Sequence, residues 1–219
     1  MQSGEPSEIR KQGYTVFITG LPSSGKTTVA ELLAEKLSRL DSRVITVLDG
    51  DKVRQQLSSE LLFSKEHRDL NVRRIGYVAS LITKTGGTVI CSLIAPYDSA
   101  RKEVRTLIQE VGGFSLIHVA TPLVICERRD VKGLYARARA NEIRDFTGVS
   151  APYEIPTDAE VVLTTTDRTA EECTDEILSH LLSSGYIRAC KRIKVPILHP
   201  IFGASLNVLP AKKPRYSSL

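Results

Sequence analysis

The run Gly20-Leu21-Pro22-Ser23-Ser24-Gly25-Lys26-Thr27 carries the strongest chemical signal in the chain. It fills G-x-x-x-x-G-K-[ST] at every fixed position. Glycines let the backbone curl so that its N–H groups point inward, and the positive end of the following helix adds to their hold on phosphate oxygens. Lys26 can reach β- and γ-phosphates, and the Thr27 hydroxyl can ligate Mg²⁺. The expected nucleotide contacts are Gly20, Ser23, Ser24, Gly25, Lys26, Thr27 and Thr28. GTPases, motor ATPases and small-molecule kinases all share this loop, so it names a nucleoside triphosphate and not a reaction.

A second cluster, Asp49-Gly50-Asp51, follows the apolar run 43–48. Along an extended chain, residues i and i+2 point to one side, so both carboxylates are expected to face one cleft. One can hold Mg²⁺, directly or through water, and the other can orient or deprotonate an acceptor hydroxyl. The competing reading is a turn in which aspartate caps the next short helix. Basic residues follow at Arg54, Arg68, Arg73 and Arg74, with Asn71 three residues after Arg68 on the same helix face. Arginine suits sulfate, phosphate or carboxylate through paired donors. Phe63 offers a stacking surface for a flat ring, and Phe146-Thr147-Gly148 a second aromatic wall. Together these residues point to a pocket for an anionic, aromatic acceptor. The charged run 128–139 reads as a mobile lid, because a kinase must exclude water from its phosphates. A solvated helix is the plainer reading for Arg137 and Arg139.

These residues need a scaffold, and the pattern supplies one. Apolar runs at 14–19, 43–48, 88–94, 114–120 and 160–165 alternate with helical spacing at 28–37, 66–85, 98–111, 122–129 and 169–183. Thr169-Ala170-Glu171-Glu172 opens the last helix with a capping pattern. The fold class is therefore α/β: a five-stranded parallel sheet, its strands buried on both faces, with helices on both sides. Ligands in such folds sit beyond the carboxyl ends of the strands, where the suspicious clusters fall. Three segments are expected: a loose leader at 1–12, one domain at 13–187 and an irregular, proline-interrupted tail at 188–219.

Bulk properties exclude several classes. The chain has 219 residues and a net charge of +5, which does not demand nucleic acid. No apolar run reaches the roughly 18 residues of a membrane helix, and the N-terminus has no signal-peptide core. The four cysteines have no C-x-x-C spacing, against a zinc or dithiol site. Cys91 and Cys126 read as small buried hydrophobes. A cytoplasmic location is expected, without nucleic-acid or membrane partners.

Beyond the loop, an ordered set of motifs resembles the adenylylsulfate kinase family over residues 13–187. The set includes Leu48-Asp49-Gly50-Asp51 with Arg54, and Phe63-Ser64 followed by Arg68, Asn71, Arg73, Arg74, Ile75 and Gly76. It continues with Cys126-Glu127-Arg128-Arg129-Asp130, Lys132-Gly133-Leu134-Tyr135, and Phe146-Thr147-Gly148-Val149 with Pro152-Tyr153-Glu154. The resemblance implies a P-loop fold and transfer of the ATP γ-phosphoryl group, with Mg²⁺, to the 3′-hydroxyl of adenosine 5′-phosphosulfate. It implies Asp51 as base, with Lys26 and Asp49 beside it in catalysis and Thr27 and Asp49 toward the metal. Arg129 joins the nucleotide contacts. Phe63 and Phe146 would sandwich the acceptor adenine. Arg54, Arg68 and Asn71 would hold its ribose and sulfated end, and Lys132 would reach in from the lid. A homodimer and a functional association with sulfate adenylyltransferase are also implied. The alternative is a catalytically silent nucleotide-sensing domain of the same fold, against which the intact Gly25-Lys26-Thr27 argues. One departure stands out. The family commonly has Ser-Pro-[Phe/Tyr]-Arg after the third strand, and this chain has Ala95-Pro96-Tyr97-Asp98. Alanine excludes phosphorylation at 95, and Asp98 puts a negative charge near the cleft rim where the family has a positive one, which bears on acceptor affinity. With the Mg²⁺, phosphate and acceptor groups kept, no loss of activity is expected.

Overall fold

A computed structural model describes residues 12–188. Apart from residues 12 and 188, the expected leader and tail lie outside the described residues, and Cys190 lies outside with them. Five strands form one sheet: β1 (Tyr14–Gly20), β2 (Ile45–Asp49), β3 (Thr88–Ser92), β4 (Gly113–Val119) and β5 (Val161–Leu163), in the order β2-β3-β1-β4-β5. Every pairing is parallel. The expected α/β architecture holds, and β1 is the switch point between its halves.

Strand β1 is buried throughout, and its residues alternate between two cores. Tyr14, Val16 and Ile18 pack with Val29, Leu33 and Leu37 of α1 (Lys26–Leu40) and with Ile177 and Leu181 of α7 (Ala170–Ser183). Phe17 turns the other way, toward Val72, Ile75 and Ala79 of α3 (Lys65–Lys84) and Val104 and Ile108 of α4 (Asp98–Gln109). Thr15 follows the same face and bonds Thr83 of α3 at 2.7 Å. The expectation of strands buried on both faces fails at the edges. β2 pairs with β3 alone and is largely half-exposed, and Val162 of β5 faces solvent. An edge strand has a neighbour on one side only, so its apolar run reads as more buried than it is.

Helix ends follow local chemistry. Thr169 and Glu172 form the expected capping box of α7, with Thr169 N–H donating to the Glu172 carboxylate at 2.8 Å. Pro122 caps α5 (Leu123–Arg129). Short helices α2 (Gly50–Leu57) and α6 (Leu134–Arg139) complete the set. A third small core, Cys126, Tyr135, Ala138 and Phe146 with Leu21 and Leu123 beside it, seats α6 against the phosphate loop.

Helix α3 carries Arg68 and Asn71, so its seat on α4 sets where they stand. That seat is close at Gly76, where an added Cβ would lie 2.4 Å from Val104 Cγ2. Gly76→Ala is expected to destabilise the fold by about 1–3 kcal/mol through overpacking. Adding Val104→Ala should return part of that loss, because the two side chains share one space. Urea midpoints of the single and double variants check this. Strict additivity would show that α3 does not rest on Val104.

Candidate active site

The phosphate loop joins β1 to α1, and its backbone is held from several sides. Ser23 and Gly25 both adopt positive φ, 57° and 99°. A Cβ at Gly25 would also meet the Thr165 methyl at 3.1 Å, so glycine is required here on two counts. Ser24 is fully buried. Its carbonyl stands 2.8 Å from the Thr165 hydroxyl and 3.2 Å from that of Thr121, and the two hydroxyls are 2.9 Å apart, so two protons are shared over three contacts. Lys26 is buried, and its Nζ donates back across the loop to Leu21 O at 2.7 Å. Burial pushes its pKa down to about 8, although Asp51 and Asp49 pull the other way.

Thr27 Oγ1 donates to Asp49 Oδ2 at 3.2 Å. The two expected metal residues therefore stand together: one hydroxyl and one carboxylate, both hard oxygens. Among the described residues no three His, Cys, Asp or Glu gather into a metal cage. That donor set fits Mg²⁺, which keeps waters and takes one or two protein oxygens beside phosphate. Asp49 also caps α2, since Oδ1 accepts from the N–H groups of Asp51 (3.1 Å) and Lys52 (3.2 Å). Capping and function thus coincide in one residue instead of competing. Contrary to the expectation from sequence, extended alternation does not bring Asp49 and Asp51 to one side: Asp49 ends β2, but Asp51 already lies in α2. Asp51 is linked to the phosphate side by its ion pair with Lys132, and both side chains are exposed. That carboxylate raises the Lys132 pKa.

On the acceptor side, Arg68 is the organising residue. It is buried, with Nε donating to Phe63 O at 2.8 Å and an η-nitrogen to Asp145 O at 2.6 Å. One guanidinium thus ties together the backbones that carry Phe63 and Phe146. Its burial lowers its pKa, yet arginine stays charged. Phe146 is locked, 7% exposed and edge-on to Tyr135 at 5.0 Å; Phe63 is 50% exposed and carries Arg54 over its ring at 4.6 Å. One aromatic wall is fixed and the other is open to a ligand. Arg54 also donates to Leu61 O and Leu62 O, each at 2.6 Å, so it braces the Phe63 loop. The Asn71 Oδ1 is buried without a hydrogen-bond partner among the described residues. A buried acceptor in that condition has room for a hydrogen bond from water or from a ligand.

Other expectations need correction. Arg73 pairs with Glu103 of α4, and Arg74 holds Leu57 O and Glu60, so neither belongs to the acceptor cluster. Arg137 and Arg139 make solvated pairs with Glu142 and Glu127, the plain reading. Asp98 does not present a bare charge to the rim. It pairs with Arg101 at 3.2 Å and Lys102 at 2.7 Å, partners that hold its carboxyl below the usual range. Arg129 donates to Thr165 Oγ1 and O, both at 2.6 Å, and so reaches the loop only through Thr165, which contacts Ser24 O. Cys91 and Cys126 are buried, as expected.

Sequence reasoning missed Thr121, Thr165 and Arg101. The two threonines follow the ends of β4 and β5, and the strand-end rule already pointed there. Arg101 had no such signal. It is buried inside α4, where it donates to Ala95 O and Glu154 O, both at 2.7 Å. A groove of about 650 Å³ opens beyond β4, lined by Leu21, His118, Leu123, Gly148, Tyr153 and Ile155 among others. It includes none of the acceptor residues chosen from sequence.

The family profile described as adenylylsulphate kinase matches residues 12–164. An adenylyl-sulfate kinase of Synechococcus sp. (strain JA-3-3Ab) is 49% identical over 178 residues, covering 81% of this chain and 99% of that protein. A sulfate adenylyltransferase of Emericella nidulans is 47% identical over 176 residues, covering 80% of this chain and 31% of that protein. Among solved structures, the Mycobacterium tuberculosis APS kinase CysC in complex with AMPPNP and APS is 40% identical with a TM-score of 0.74, covering 78% of this chain and 98% of that one. A hexameric APS kinase from Thiobacillus denitrificans is 44% identical with a TM-score of 0.64, covering 82% of this chain and 30% of that one. Profile, full-length relatives and fold agree with the site: the chain belongs to the adenylylsulphate kinase family.

Proposed function

We propose that this chain transfers the γ-phosphoryl group of MgATP to the 3′-hydroxyl of adenosine 5′-phosphosulfate, giving 3′-phosphoadenylyl sulfate and ADP. The observation that carries this is the Arg68 bridge, which sets an aromatic acceptor corner beside a complete phosphate loop. The Mycobacterium tuberculosis relative was solved with AMPPNP and APS, a pair of the same chemistry.

The division of labour follows from position. The phosphate loop from Gly20 to Thr28 takes the triphosphate, and Lys26 exchanges the Leu21 carbonyl for phosphate oxygens. Thr27 and Asp49 would hold Mg²⁺, which would offset negative charge on the triphosphate. Phe63 and Phe146 take the acceptor adenine, while Arg54, Arg68 and Asn71 take its ribose and sulfated end. Asp51 accepts the 3′-hydroxyl proton as that oxygen bonds to the γ-phosphorus and the bond to the ADP oxygen breaks. Lys132, paired with Asp51, contributes a positive charge from the lid. Arg129 faces the nucleotide side. The lid formed by the segment around α6 closes over the phosphates to exclude water.

The partner readings are proposals of the same rank. Relatives that carry this domain as about a third of a sulfate adenylyltransferase support functional association with that enzyme. A homodimer is proposed, with light scattering in solution as its test. Among the described residues no helix is long and apolar enough to cross a membrane; a cytoplasmic location is proposed.

The decisive experiment measures ADP release with and without adenosine 5′-phosphosulfate and identifies the product. Binding of both nucleotides without turnover would favour a silent sensing domain. Lys26→Ala should lower turnover by about 10²–10³-fold, the usual scale for a group that stabilises transition-state charge. Asp51→Asn should lower it by about 10²–10⁴-fold while ATP affinity holds. Turnover that survives Asp51→Asn removes Asp51 as the base.

The Lys26 pKa gives a pH signature. A lysine near 8 is about half protonated at pH 8, and bound phosphates favour the charged form. ATP binding at pH 8 should therefore take up about half a proton, less toward pH 7 and more above pH 8. Calorimetry in buffers of different ionisation enthalpy reads this uptake. Equal enthalpies in all buffers, or uptake that persists in Lys26→Gln, would assign the shift elsewhere.

A further inference from the structure

The contact between the strand ends and the back of the phosphate loop has a consequence for how the loop binds. The Ser24 carbonyl points toward Thr165 and Thr121, whose hydroxyls donate to it at 2.8 and 3.2 Å. The peptide linking Ser24 to Gly25 is trans, as are all peptides among the described residues. In a trans peptide the C=O and the next N–H point in opposite directions. Holding Ser24 O toward the strand ends therefore aims the Gly25 N–H away from them, into the concave side of the loop. Among the described residues no backbone carbonyl outside the regular elements takes that N–H. It is free to meet an anion, as N–H groups in such a nest do.

Proton counting says which hydroxyl matters more. The Arg129 guanidinium can only donate, and it donates to Thr165 Oγ1 at 2.6 Å. Thr165 N–H likewise donates to Thr121 Oγ1, at 3.2 Å. Two hydroxyl protons then serve three contacts: the Thr165 proton on Ser24 O at 2.8 Å, the shortest of them, leaves the Thr121 proton to be shared between Thr165 Oγ1 at 2.9 Å and Ser24 O at 3.2 Å. Arg129 also grips Thr165 O, which fixes the residue at its backbone.

We infer that Thr165, seconded by Thr121, is a positioning residue for the phosphate loop: it orients the Ser24–Gly25 peptide so that its N–H is preorganised for a phosphate oxygen, and Arg129 locks it there. This rests on the reading of the loop as a nucleotide site. It goes beyond that reading by assigning phosphate affinity to two side chains that touch no phosphate. It also couples the arm at the base of the lid to the loop through one hydroxyl.

The test separates orientation from bulk. Thr165→Val keeps the shape and removes the hydroxyl. It should weaken ADP about tenfold, the loss of one well-aimed hydrogen bond. Adenosine, which has no phosphate, should bind within about twofold of wild type by ligand-observed NMR. Thr165→Ser should restore ADP to within about twofold, and Thr121→Val should weaken ADP by a smaller factor. Equal weakening of ADP and adenosine in Thr165→Val would mean a merely structural role and overturn the proposal, as would no change in either. If Thr165→Val does not fold, Thr121→Val decides alone, and unchanged ADP affinity there overturns it. Wild-type protein that failed to bind ADP would bring down the kinase reading, a result distinct from any pattern among the variants.

Discussion

Asp49 divides its carboxylate between two elements, and the cleft depends on that division. Oδ1 caps α2, while Oδ2 accepts the Thr27 hydroxyl at the start of α1. β2 is not a neighbour of β1, because β3 lies between them. Side-chain contact therefore has to join the phosphate loop to the end of β2, and a short carboxylate at the last residue of the strand does so. The cap fixes the first turn of α2, and Asp51 sits in that turn. Capping is worth about 1 kcal/mol, so the group suited to the metal is also part of what holds the neighbouring helix. An Asp49 variant would lose both at once, and its kinetics would not separate them.

Arg68 plays the matching part on the acceptor side. A buried guanidinium is tolerated when its donors are satisfied, and here two backbone carbonyls from distant segments satisfy them. The consequence is geometric. Phe63 precedes α3 and Phe146 lies beyond α6, yet both are tied to one rigid fork. The lid core then fixes Phe146 against Tyr135, whose hydroxyl donates to Pro22 O of the phosphate loop at 3.1 Å. Acceptor wall, lid helix and loop are thus linked by contacts short enough to transmit position.

Sequence pattern made most of the fold legible because β1, β3 and β4 are apolar runs flanked by amphipathic helices, and period alone separates those. It failed at β2 and at Val162, where strand order decides exposure and order is not written in any local window. At the site, Lys26 and Thr27 were legible because the loop motif fixes their spacing, and Asp49 because it ends a strand of the same parallel sheet. Arg73 and Arg74 were misread because helical spacing places them near Arg68, while their partners Glu103 and Glu60 come from other segments. Asp98 was misread for a related reason: its charge is met by Arg101 and Lys102, three and four positions past the end of the motif, in a helix whose i+3 and i+4 pairs only folding creates. Thr165 stayed invisible because its role is a hydrogen bond across 141 residues.

Lys26 shows what the loop gives up in stability to bind well. Its folded-state pKa is lowered by burial to about 8. Between that value and the ordinary lysine value near 10.4 the unfolded chain holds more protons than the folded one. Folding stability therefore rises with pH across that window, and the full penalty, on the order of 3 kcal/mol, is present below it. At neutral pH the free protein carries a buried ammonium satisfied by Leu21 O, with Ser24 Oγ more distant at 3.5 Å. Phosphate oxygens offer the same nitrogen full opposite charge in the same dry setting, where each charge counts for more than in water. The desolvation that strains the free fold is therefore what sharpens its preference for an anion. The brace at Ser24 serves the same end, since a loop held rigid cannot relax to relieve that strain.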